Sequence, residues 1–182
     1  MGTATHDVDL KMIIPALEKV AAKHPDSFTL TLIGVADTVP DRLWIARLYQ
    51  PKYGSINPAF VKWFRAQGPF DVGLSPLVDS EFNRGKSDIK CLDYLAAGIR
   101  PVVSDITPYQ SADLNKYIIR VKNTNKDWEE GLTVIVENAA AVRADNARLM
   151  PAAQNYIWGE RSSEQTAQQL FELIKQSKSQ KK

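Results

Sequence analysis

Residues 71–104 read DVGLSPLVDSEFNRGKSDIKCLDYLAAGIRPVVS, and this stretch decides the fold class. Asp71-Val-Gly-Leu-Ser75 is a short buried strand, Ser87 to Ala97 carries the spacing of a helix stopped by Gly98, and Pro101-Val-Val-Ser104 is a second strand. Two β-rich runs joined through a helix form a βαβ unit, and its strands lie parallel because the helix carries the chain back across the sheet. The pattern continues outward. Upstream, Leu10, Ile13, Ile14, Leu17, Val20 and Ala21 recur at helical spacing from Asp7 to Lys23, with Pro15 expected to kink or restart the helix. Phe28–Ile33 alternates as a strand closed by Gly34, a short strand is expected around Trp44–Leu48, and Pro58–Gln67 reads as a helix. Phe82–Gly85 reads as a loop. Downstream, Tyr117–Val121 is a strand, Asp127–Asn138 a helix opened by an Asp cap, and helices follow around Val142–Met150 and Ser163–Lys175. The sum is an α/β chain with a Rossmann-like, doubly wound parallel sheet in a single domain spanning residues 1–182.

Composition narrows the function classes. The 182 residues are 44% hydrophobic and 24% charged, as in folded domains. With 23 Lys and Arg against 21 Asp and Glu the net charge is +2, which argues against a nucleic-acid binder working through a broad basic face. Four lysines fall within Lys175–Lys182, and the tail 176–182 is expected to be disordered. Cys91 is the single cysteine, so no intramolecular disulfide is expected, and only His6 and His24 are available as imidazole ligands, so no metal site is expected either. No apolar run approaches the ~18–20 residues of a membrane helix, and Met1–Leu10 lacks a signal-peptide core. These features point to a cytoplasmic protein.

In an open parallel sheet, ligands bind at the carboxyl ends of the strands beside helix N-termini. The turn between Ser75 and the Ser87 helix is that place. Ser87 suits an N-cap, and the free N–H groups behind it suit an anion. Lys86, Lys90 and Asp93 fall at i, i+4 and i+7 on one polar stripe, with Ile89, Leu92 and Ala96 opposite. Two cations at the start and a carboxylate two turns on fit a nucleotide diphosphate and its ribose. The same spacing also fits an exposed i, i+3 pair of Lys90 and Asp93 with no ligand role. His6 suits a sugar or phosphate contact as well as a plain surface position, and Tyr109 a pocket wall as well as a turn. Trp44, Trp63, Trp128 and Trp158 read as core or interface residues. Cys91 reads as a small apolar side chain with no base to activate it.

The segment Phe82-Asn83, Lys86-Ser87, Lys90, Asp93-Tyr94, Ala96 and Gly98, followed by Pro101-Val102-Val103-Ser104, resembles the donor-binding signature of GT-B glycosyltransferases of the family 1/4 (group 1) type. Asp71-Val-Gly-Leu-Ser-Pro-Leu77, Gly2-Thr3 with Asp9-Leu10, and Trp158-Gly-Glu-Arg161 extend the resemblance over essentially the whole chain. The sequence departs from that signature in two places: Asp93 stands where the family has Glu, and Gly85 stands at the first acidic position, with Glu81 four residues upstream.

The resemblance implies the C-terminal, donor-binding domain of a retaining enzyme. It implies binding of a nucleotide-diphospho-sugar and stabilisation of the leaving nucleotide, without metal or cofactor and with no catalytic residue assigned within this domain. Donor phosphates would meet Gly2, Thr3, Lys86, Ser87, Asp88, Ile89 and Lys90, and the ribose would meet Asp93. Glu81, Phe82, Asn83 and His6 would face the sugar. Transfer of a hexosyl group, as in polysaccharide biosynthesis, would need an acceptor-binding N-terminal domain, so the chain alone is expected to be inactive. In the cell it would be peripheral at the inner membrane only through such a parent protein. Two alternatives stand beside this reading: a non-catalytic nucleotide-sugar-binding subunit, and a flavodoxin-like regulatory domain, although the acidic cluster the latter requires is not evident. The family's Gly-Thr turn follows the central strand of the sheet, and only Met1 precedes Gly2 here. The chain is therefore expected to be part of a longer protein, its sheet lacking the first strand between the Phe28–Ile33 and Asp71–Ser75 strands.

Overall fold

The computed structural model describes residues 6–34, 39, 41–49 and 57–179. The first helix, α1, spans Asp7–Lys23 and buries Leu10, Ile13, Ala16, Leu17 and Val20 along one face. It runs through Pro15 without a break, contrary to the expected kink or restart. Pro15 is exposed, so water can reach the carbonyl it leaves unbonded. Burial of the side chains around it, at ~1.5–3 kcal/mol each, exceeds the ~3 kcal/mol proline penalty.

The strands β1 (Leu30–Ile33) and β2 (Ile45–Leu48) pair in parallel, in register from Leu30↔Ile45 to Ile33↔Leu48. After α2 (Asn57–Ala66) come β3 (Val72–Ser75), the one-turn α3 (Glu81–Arg84), α4 (Ile89–Ala96) and β4 (Arg100–Ser104). Two 3-10 turns, Thr107–Tyr109 and Ala112–Leu114, lead to β5 (Ile119–Val121). The order β3-β4-β5 is parallel throughout. The chain closes with α5 (Asn125–Glu137), α6 (Ala139–Glu160) and α7 (Ser163–Ser179).

Several elements differ from the sequence expectation for local reasons. Residues 81–84 are helical, not loop, because the Ser80 hydroxyl accepts from the Asn83 N–H at 3.2 Å and caps the turn. Helix α5 starts at Asn125 because Thr124, not Asp127, is its cap and accepts from the Asp127 N–H at 3.0 Å. Helix α6 continues past an exposed Pro151 because Ala153, Tyr156 and Ile157 beyond it are buried. Of the tail 176–182 expected to be disordered, residues 176–179 belong to α7 and residues 180–182 lie outside the described residues. Trp128 is fully buried, but Trp158 is 64% exposed and outside the core.

The fold is a Rossmann-like α/β single domain with helices on both sheet faces. On one face α1 and α5 cover Leu32, Val102 and Val121. On the other, α4 and α6 enclose Val103, while Phe64 of α2 and Tyr94 of α4 meet Ile33. Neighbouring residues Leu32 and Ile33, like Val102 and Val103, thus look to opposite faces, as the pleat requires. All strands run the same way. The start of α1 lies at the carboxyl end of β3, where Asp9 meets Val78, and its end leads in a short loop into the amino end of β1. Both strands therefore oppose α1. Yet β1 and β3 are not paired among the described residues: a cavity of about 470 Å³ lies between them. The arrangement β2-β1, space, β3-β4-β5 agrees with the expected vacancy at the first-strand position.

Candidate functional site

The loop leaving β3 is fixed by polar side chains from the ends of β4 and β5 and from α1 and α3, most of them buried. The Leu77 N–H donates to Ser104 Oγ at 2.8 Å, and Asn123 Nδ2 donates to the Leu77 carbonyl at 2.8 Å. One residue on, the Val78 N–H donates to Asp9 Oδ1 at 2.8 Å, and Asn83 Nδ2 donates to the Val78 carbonyl at 2.7 Å. Asp9 is 4% exposed, and its other oxygen lies 3.0 Å from His6 Nδ1. A buried carboxylate with these partners sets the distance between the start of α1 and the end of β3. Nearby, the Ser75 and Tyr109 hydroxyls are 2.9 Å apart, and burial pushes the Tyr109 hydroxyl up to about 12. Sequence reasoning missed Ser104 and Asn123 as loop anchors and gave Asp9 no role, because the loop residue each one holds is more than twenty positions away. A polar residue at or just beyond the carboxyl end of a strand is the signal that marks the first two.

The helix expected to face an anion is α4. It begins at Ile89, so its N-cap is Asp88 and not Ser87, and the Asp88 side chain makes no capping bond. That carboxylate is instead held by Arg161, with contacts of 3.0 and 2.9 Å, while Ser87 is exposed. Lys86 lies before the helix, with Nζ 5.1 Å over the Phe82 ring, so it does not share a helical stripe with Lys90. The apolar stripe differs as well: α4 buries Cys91, Tyr94 and Leu95, and leaves Ile89 52% exposed, because the helix is covered by both the sheet and α6. Cys91 is fully buried and its thiol is raised to about 12, mainly by burial, which suits a packing role.

Lys90 and Asp93 are both half-buried. Burial lowers the Lys90 ammonium below the ordinary lysine value, opposed in part by Asp93, and raises the Asp93 carboxyl, opposed in part by Lys90. Lys90 lines one end of the cavity, together with His6, Asp9, Ser75 and Tyr109. The structure therefore brings Lys90 and His6 to one crevice at the carboxyl end of β3. Asn83 is buried there as a framing residue, whereas Glu81 and Phe82 stand exposed on α3. Gly2 and Thr3 lie outside the described residues.

No family model, curated protein or solved structure matches the chain. Fold and geometry carry the functional reading. Among the described residues no helix is long and apolar enough to cross a membrane, and no group of three or more His, Cys, Asp or Glu could hold a metal ion.

Proposed function

We propose that this domain binds a nucleotide-diphospho-sugar and serves as the donor half of a retaining, GT-B-type glycosyltransferase. The observation that carries the reading is Lys90: a half-buried cation, disfavoured by desolvation, at the start of a helix and at the carboxyl end of β3, with no salt bridge among the described residues. A diphosphate supplies the charge that Lys90 lacks, and the N–H groups opening α4 add partial positive charge on the same side. Asp93, one turn further, accepts from ribose hydroxyls. During transfer, Lys90 and the helix amides offset the charge that develops on the departing diphosphate. His6 and the α3 residues Glu81 and Phe82 flank the sugar, and Asn83 holds their loop in place. An acceptor-binding domain completes the active site, so the isolated chain binds donor without transferring it.

Calorimetric titration with UDP, GDP and dTDP, each bare and sugar-linked, tests the reading. Lys90→Ala is expected to weaken binding by roughly 1.5–3 kcal/mol, the scale of a charge-assisted hydrogen bond with its desolvation. Unchanged affinity in that variant, or no binding of any of these nucleotides, overturns the assignment. Asp93→Asn is expected to erase the preference for ribo- over deoxyribonucleotides.

A further inference from the structure

The cavity between β1 and β3 has an unusual wall. Every residue from Ser27 to Ile33 and from Asp71 to Leu77 lines it. A sheet face shows a cavity only alternate residues, so consecutive ones mean that two strand edges, not two faces, border the space. The Leu30 N–H donates to the Trp44 carbonyl, towards β2, at 2.8 Å. Main-chain polar groups alternate sides along a strand, so Thr31 and Ile33 direct theirs into the cavity, where among the described residues no strand pairs with them. Above the space stand Leu10, Leu17 and Leu132, and below it Phe64, Tyr94 and Ile99. Two rows of backbone donors and acceptors thus face each other under apolar roofs, and each group left unsatisfied costs about 1–3 kcal/mol.

We propose that this slot takes an extended apolar strand of polypeptide, four or five residues long, running parallel to β1 and β3 and completing one continuous sheet. Three observations select that occupant. Only a backbone offers donors and acceptors on both sides at strand spacing, about 4.8 Å from each neighbour. Both roofs are apolar, so side chains pointing either way must be apolar, as in the Val- and Ile-rich runs of fully covered parallel strands. Direction follows from α1: a strand parallel to its neighbours brings its carboxyl end to His6 and Asp9, where the slot turns polar. The inference does not rest on the nucleotide reading, because the slot is defined by strand edges and apolar roofs and the nucleotide site by Lys90.

Amide hydrogen exchange of the full chain tests it, with a synthetic peptide carrying five Val, Ile and Leu residues between solubilising lysines. Without peptide, the Thr31 and Ile33 amides are expected to exchange faster than Leu30 and Leu32, which face β2. With peptide they are expected to slow by roughly tenfold or more, along with amides of β3. A peptide N-methylated at alternate residues, equally apolar but short of donors, is expected to leave them unchanged. The proposal is overturned if Thr31 and Ile33 are already as protected as Leu32 without peptide, if neither peptide acts, or if both act equally. Protection that grows with protein concentration alone also overturns it, since the occupant is then a second copy of this chain.

Discussion

At the scale of single residues, Lys90 and Asp93 make opposite demands on pH. Burial lowers Lys90, so between its lowered value and the ordinary lysine value the unfolded chain binds more protons than the folded one, and stability rises with pH through that window. Burial raises Asp93, so the folded chain binds more protons between the ordinary carboxylate value and the raised one, and stability rises as pH falls through it. Urea midpoints are expected to climb as pH rises towards the ordinary lysine value, and Lys90→Met to flatten that climb; parallel curves for the two proteins would refute the assignment. If the domain binds a diphosphate as proposed, the ligand would favour the charged form of Lys90, and nucleotide binding is expected to take up protons at alkaline pH, measurable by calorimetry in buffers of different ionisation heat. Both residues were legible from spacing alone, because i, i+3 neighbours share a helix side whatever the tertiary fold. The true cap was not. Asp88 gains its role from Arg161, 73 positions away, and no local pattern announces that pair.

Elements depend on a few close approaches. A Cβ at Gly73 would come within 2.4–2.6 Å of three carbons of the Tyr94 ring, whose hydroxyl donates to the Leu74 carbonyl at 3.1 Å. Glycine on β3 is what lets α4 lie against the strand. Gly73→Ala is expected to destabilise the domain by about 1–3 kcal/mol, the range for overpacking a core, seen as a lowered thermal midpoint. Gly159 offers the contrast: nothing lies within 4 Å of a Cβ there, inside α6, so Gly159→Ala is expected to stabilise by up to about 1 kcal/mol. Helix positions were readable because burial repeats every three or four residues along α1 and α5. Helix lengths were less so. Pro15 signalled a break that buried neighbours on the same helix overrode, the helix expected around Val142–Met150 runs on past Pro151, and the capping contact from Ser80 turned a presumed loop into α3.

At the scale of the whole molecule, the parallel sheet and its two helical faces followed from the alternation of short β-rich runs with helices. The space between β1 and β3 was expected from the family resemblance, but its walls were not: that Tyr94 and Phe64 close one side and α1 with α5 the other depends on contacts across the full chain. That cavity is also expected to make the molecule yield to pressure. Close-packed interiors resist squeezing because they hold almost no free volume, and hydrostatic pressure unfolds proteins to the extent that voids vanish on unfolding. This domain carries a cavity of about 470 Å³, partly open to solvent, along a seam that no strand pairing crosses among the described residues. In a high-pressure NMR series, resonances of β1 and β3 are expected to shift and broaden at pressures that leave β4 and β5 unmoved. The seam, not the outer strands, is where the fold is expected to yield first.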